Sequence, residues 1–177
     1  KYLLANYYRR DGQCNKALNI YENLLTINPV NSDILFLKAS CLEKTGSWDK
    51  AKEIFIKIIK NNNRDAYSMN YLSYSMTIRG EDLDFAHSLI KKALAISPNN
   101  GFFLDTLGWI YYKKKKYIKA IQYLQKAIMI EPNSSEIMDH LGDCYFETGR
   151  KNEAIYEWTR ALNFDASDEL KMILQSK

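Results

Sequence analysis

Small and apolar residues return along this chain at a fixed interval. Ala86, Ala120 and Ala154 stand 34 residues apart, and so do Ala93, Ala127 and Ala161. The same interval separates Leu107 from Leu141, Gly108 from Gly142, Tyr111 from Tyr145 and Pro98 from Pro132. Nearer the start it separates Ala17 from Ala51 and Gly12 from Gly46. The step from Ala51 to Ala86 is one residue longer, which places an insertion near Glu81–Leu83. A period of this length with small residues at fixed places predicts stacked helical hairpins, each touching its neighbours. Polar clusters separate the apolar stretches. Asn31-Ser32-Asp33, Asn99-Asn100 and Asn133-Ser134-Ser135 suit the capping of free N–H groups where a helix begins. Gly12, Gly46, Gly80 and Gly149 suit the left-handed turn that closes one. The fourth such turn, Lys113–Lys116, has no glycine. The pattern predicts helices over 1–11 and 14–27, 32–45 and 48–60, 66–79 and 83–96, 101–114 and 117–130, 135–148 and 151–164. The tail Ser167–Ser176 is expected to form a short capping helix with Leu170, Ile173 and Leu174 on one side.

These residues resemble the tetratricopeptide repeat. The unit Gly101–Ser134 carries the fullest pattern, with Leu107-Gly108, Tyr111, Ala120, Leu124, Ala127 and Pro132. Ser135–Asp168 follows with Leu141-Gly142, Tyr145, Ala154, Trp158 and Ala161, and has Ala166 in place of the proline. Ala66–Asn100 has Ser73 for the glycine, Ser32–Asp65 has Asn63 for the proline, and Lys1–Asn31 lacks the first positions. The resemblance implies an all-α fold: a right-handed superhelical solenoid of five antiparallel hairpins. Its units are 1–31, 32–65, 66–100, 101–134 and 135–168, with 169–177 as the C-terminal capping helix.

Composition adds exclusions. The net charge of +4 is mild and does not call for nucleic acid. No stretch reaches the roughly 18 apolar residues a membrane helix needs. The start falls inside a repeat, so the natural N-terminus is expected elsewhere. Cys14, Cys41 and Cys144 form no C-x-x-C pair, and no structural disulfide is expected. Reduced cysteines fit a cytosol. His140 is read as a surface or groove residue; with Asp139 and Asp143 it supplies too few ligands of the right kind for a metal. No phosphate loop, nucleophile elbow or H-E-x-x-H is present, so the chain reads as non-catalytic and free of cofactors.

What remains is a binding surface. In the family that these repeats resemble, the first helix of each unit lines a concave groove. Carried over residue by residue, the groove offers Asn6 and Arg9, Phe36, Tyr67, Asn70 and Tyr74, Phe102, Asp105, Trp109 and Tyr112, then Glu136, Asp139 and Asp143. Tyr2, Phe146 and Glu147 fall on the same face. The expected partner is a protein or peptide that sets an apolar or aromatic anchor near Trp109 and a basic stretch over the last unit. Chaperone-binding members of the family hold a C-terminal carboxylate with Lys, Asn and Arg at fixed positions. The first register here has Tyr2, Asn6, Leu37, Tyr67 and Tyr71 instead, and no other register restores that clamp. Asn70–Tyr74, Leu104–Trp109 and His140–Asp143 also look like the C-terminal part of bacterial cell-envelope repeat proteins, several of them lipoproteins acting as adaptors. The expectation is thus a non-catalytic scaffold in a bacterial cytoplasm or envelope. The alternative is a docking or self-association module for an active domain outside the chain, and homo-oligomers are left open.

Overall fold

The computed structural model describes residues 1–164 and 168–175. Among these residues all regular structure is helical. The helices are α1 (Tyr2–Arg10), α2 (Cys14–Leu25), α3 (Ser32–Lys44), α4 (Trp48–Asn61), α5 (Ala66–Arg79), α6 (Leu83–Ile96), α7 (Gly101–Lys113), α8 (Tyr117–Ile130), α9 (Ser135–Glu147), α10 (Lys151–Asn163) and α11 (Asp168–Gln175). The chain forms two compact units, Lys1–Leu72 and Ser73–Lys177.

Local chemistry sets the helix ends. The side chains of Asn31 and Asn100 accept hydrogen bonds from the backbone N–H groups of Ile34 and Phe103 at 3.0 and 3.1 Å. Each satisfies one of the donors that a helix N-terminus leaves open. Helices α6 and α8 stop at Ile96 and Ile130, two residues before Pro98 and Pro132. Proline disfavours helical geometry in the residue that precedes it. The turn glycines at 12, 46, 80 and 149 take φ of 75, 82, 68 and 78°. The turn without glycine takes the same course: Lys115 has φ 56°. The inserted residue falls where Asp82, at φ 30°, accepts a hydrogen bond from the N–H of Phe85 and starts α6.

In the first unit the core is built from Ala5, Cys14, Ala17, Tyr21, Ile34 and Cys41. Cys14 and Cys41, unpaired in the sequence reading, are neighbours. Burial, then the hydrogen bond with Cys14, push the Cys41 thiol up to about 12, so it stays protonated at neutral pH. Ala51, Phe55 and Ile58 of α4 are fully covered.

In the second unit α7 folds back on α8. A Cβ on Gly108 would lie 2.7 Å from Cγ of Leu124 and 3.3 Å from the carbonyl oxygen of Ala120. Ser73 stands at the equivalent place in α5, and its hydroxyl donates to the carbonyl of Ala86 at 2.8 Å. Gly108→Val should weaken folding by about 1–3 kcal/mol, because the close-packed pair must separate. A urea midpoint equal to that of the wild type would show that α7 and α8 do not meet there. Leu174 of α11 is buried against Met138 and Ala161, with Leu170 packed alongside. The ends of the expected tail helix, Ser167 and Ser176, and the Ala166 that replaces the repeat proline, lie outside the described residues.

Candidate functional site

In the first unit the odd-numbered helices α1, α3 and α5 carry the residues expected to bind. Tyr2, Phe36, Leu37 and Tyr67 line a recess of about 400 Å³, with Ser32, Asp33 and Asp65 at its polar edge. Tyr67 is 69% exposed. Phe36 is half-buried and held on two sides. It meets Phe55 edge-on at 5.4 Å and Tyr71 edge-on at 5.2 Å, while Phe55 and Tyr71 stack on each other at 4.8 Å. Its rotamer is therefore fixed before any ligand arrives. Asn6 is committed inward, where its Oδ1 accepts from the hydroxyl of Tyr21 at 2.8 Å. The Nε of Arg9 and the Oδ1 of Asn70 are buried without a hydrogen-bond partner among the described residues.

In the second unit the expected residues gather around one buried pair. His140 donates from Nδ1 to Oδ1 of Asp105 across 2.8 Å. This corrects the reading of His140 as a surface or groove residue: it is 7% exposed. Its ring stacks on Trp109 with centroids 4.0 Å apart and an interplanar angle of 15°. Trp109 in turn stacks on Tyr112 at 4.4 Å and 4°, and Tyr74 lies 6.4 Å from the imidazole. Trp109 is 9% exposed, so only its margin is open to a partner. The ammonium of Lys113 sits 5.1 Å from the indole centroid. Asp105 and Asp139 are buried too, whereas Glu136 is exposed.

The electrostatics follow from this packing. Burial acts to lower the His140 pKa. The Asp105 carboxylate, through its charge and hydrogen bond, overcomes that with help from Asp139 and Glu136, and the net shift is upward. Glu136 is pushed up by desolvation and by Asp105 and Asp139, against the pull of His140. Burial first, then the charges of Glu136, Asp105 and Asp139, raise Tyr74. Covered on its faces, the His140–Asp105 pair links α7 to α9.

Two recesses flank this cluster. One, of about 500 Å³, is lined by Phe102, Leu170 and the segment 131–136, and joins Phe102 with Glu136. The other, of about 190 Å³, is lined by Tyr112, Asp143, Phe146, Glu147 and Trp158. Sequence reasoning gave Trp158 only as a repeat-pattern residue. It also missed the link from Asp105 to His140. The available signal was the spacing of one period plus one, which brings successive first helices face to face. Among the described residues no three His, Cys, Asp or Glu side chains are placed to hold a metal ion. No helix among them is long and apolar enough to cross a membrane.

Comparison with known proteins agrees with this geometry. Two family models described as tetratricopeptide repeat match residues 8–69 and 101–134, together more than half of the chain. A BBSome complex member BBS4 homolog of Drosophila melanogaster is 28% identical over 123 residues, 69% of this chain and 25% of that protein. The repeat-containing protein PA4667 of Pseudomonas aeruginosa is 27% identical over 121 residues, 68% of this chain and 20% of its own. The chain thus spans a quarter or less of these relatives. Among solved structures, TTC0263, a thermophilic repeat protein of Thermus thermophilus, superposes with a TM-score of 0.85 at 24% identity, over 99% of this chain and 95% of that one. PilW, a type IV pilus biogenesis factor, superposes at 0.83 with 20% identity, over 92% and 74%. At these identities the likeness is one of fold. Proteins built this way are generally non-catalytic scaffolds that bind proteins or peptides. The matched repeats, the hairpin geometry and the relatives agree that the chain belongs to the tetratricopeptide repeat family.

Proposed function

We propose that the chain is an adaptor that binds a protein or peptide segment on the face of its odd-numbered helices. The observation that carries this reading is the recess bordered by Tyr2, Phe36 and Tyr67, which come from three successive odd-numbered helices. Large, rigid aromatic surface of this kind dominates binding energy at protein interfaces. The proposal takes the chain as five repeat units, 1–31, 32–65, 66–100, 101–134 and 135–168, closed by a cap over 169–177. Arg9, Phe36, Tyr67 and Asn70 serve the face in the first compact unit, and Asn6, turned inward to Tyr21, supports it. Tyr74, Phe102, Asp105, Trp109, Tyr112, Glu136, Asp139 and Asp143 serve or support it in the second. Asp105 and Trp109 act mainly by holding the surface in shape, since both are buried. The likeness to a pilus biogenesis factor favours an envelope setting. The small share of the relatives' length favours a second reading, in which the same faces dock a domain outside this chain.

The test is a titration with a partner segment recovered by pull-down. Tyr67→Ala should lose about 2 kcal/mol or more of binding. Ile155→Ala, an exposed change on α10, should bind as the wild type does. A tight Tyr67→Ala complex together with loss of binding in Ile155→Ala would reject the proposal.

A further inference from the structure

The recess of about 190 Å³ between α7, α9 and α10 has an unusual lining. Three aromatic rings, Tyr112, Phe146 and Trp158, surround two carboxylates, Asp143 and Glu147. No lysine or arginine among the described residues lines it. The carboxylates are four residues apart on α9, which puts them on one helix face. Phe146 and Trp158 pack against each other as one aromatic wall, with ring centroids 5.7 Å apart and an interplanar angle of 40°. Phe146 is 52% exposed, so this wall of the recess faces solvent.

We propose that this recess receives one basic side chain, lysine or arginine, from the partner segment. This deepens the adaptor reading and rests on it for the identity of the donor. A cation over an aromatic face is attracted by the ring quadrupole, and Trp, Tyr and Phe all supply such faces. The carboxylates add charge complementarity that a neutral side chain cannot use. Asp143 is already positioned, since its Oδ1 accepts from Nε1 of Trp158 at 3.1 Å. The Tyr117 hydroxyl lies in the field of the Glu147 carboxylate, which helps to hold it protonated. Trp158 and Tyr117 are neutral groups, so neither offsets a carboxylate's charge. An ionised carboxylate has about four acceptor sites on its two oxygens, so one neutral donor does not exclude an ammonium or guanidinium. The recess is too small for a folded segment and fits a single long side chain.

The test uses two probes that do not depend on knowing the partner: blocked arginine amide and its neutral isostere, blocked citrulline amide. The protein has three tryptophans, Trp48, Trp109 and Trp158, and each indole N–H gives its own signal in a proton–nitrogen spectrum. The arginine probe should move the Trp158 indole signal saturably and leave Trp48 in place. Citrulline amide should bind about tenfold or more weakly, as expected when a charged hydrogen-bond partner is made neutral. Asp143→Asn keeps an oxygen acceptor for Trp158, so the double variant Asp143→Asn/Glu147→Gln should fold and lose the preference for arginine. Equal binding of both probes, or no saturable shift at Trp158, would overturn the proposal. A partner segment that binds through Tyr67 but leaves Trp158 unmoved would overturn it too, while leaving the adaptor reading intact. Arginine binding at Trp158 in a protein whose partner ignores Tyr67→Ala would support the recess and sink the adaptor reading.

Discussion

Asp105→Ala should destabilise the second unit by about 3–5 kcal/mol, the usual cost of stripping one partner from a buried charged pair. The change leaves His140 almost wholly covered, without its acceptor, and between Trp109 and Tyr74. Its remaining carboxylate neighbours, Asp139 and Glu136, lie on its own helix, so the charged link between α7 and α9 is lost. Replacing both members, as in Asp105→Leu/His140→Phe, should cost less than the sum of the single changes, because neither partner is then left buried without the other. Urea unfolding of the three variants measures this. An Asp105→Ala midpoint within experimental error of wild type would mean the pair is not formed.

The same pair gives stability a pH dependence of known sign. The folded-state pKa of His140 lies above its ordinary 6.5. The folded protein therefore binds the proton more tightly than the unfolded chain does. The contribution is complete below about 6.5 and is lost as pH rises through the raised value. Glu136, also raised, acts in the same direction from its ordinary 4.5 upward. Unfolding free energy should thus fall as pH climbs past neutrality, and Asp105→Asn should flatten that fall. A wild-type stability that rises over the same range would contradict the assignment.

Phe55→Ala should remove about 3–5 kcal/mol from the first unit, the range for large aromatic truncations in a packed core. Phe55 is fully covered. It loses both its edge contact with Phe36 and its stacking on Tyr71. The loss should reach the binding face, because Phe36 then has one ring instead of two to fix it. Phe55→Leu, which conserves much of the volume, should cost less than about 1.5 kcal/mol. A Phe55→Ala urea midpoint equal to that of the wild type would show that the side chain and its ring contacts contribute nothing.

The helices were legible because their determinants are local and repeated. Asn31 and Asn100 cap where the pattern placed helix starts, Pro98 and Pro132 follow helix ends, and Gly108 meets Leu124 where two helices had to cross. The turn at Lys115 shows that hairpin packing imposes the left-handed residue even where glycine is missing. Side-chain fate was less legible. The repeat register assigns a face to each position within one unit, but Asp105 meets His140 of the next. Trp109 sits on the face the register gives it, yet its flat ring is covered by Tyr112 and His140. Cys14 and Cys41 likewise become neighbours through contact between successive hairpins. These pairings depend on rotamers and on ring geometry, which a one-dimensional pattern does not carry.

Hydrogen–deuterium exchange with a bound partner segment tests the central claim most directly. Slowed exchange should concentrate on α3, α5, α7 and α9, with the even-numbered helices exchanging as in the free protein. Protection confined to α4, α6, α8 and α10 would contradict the account.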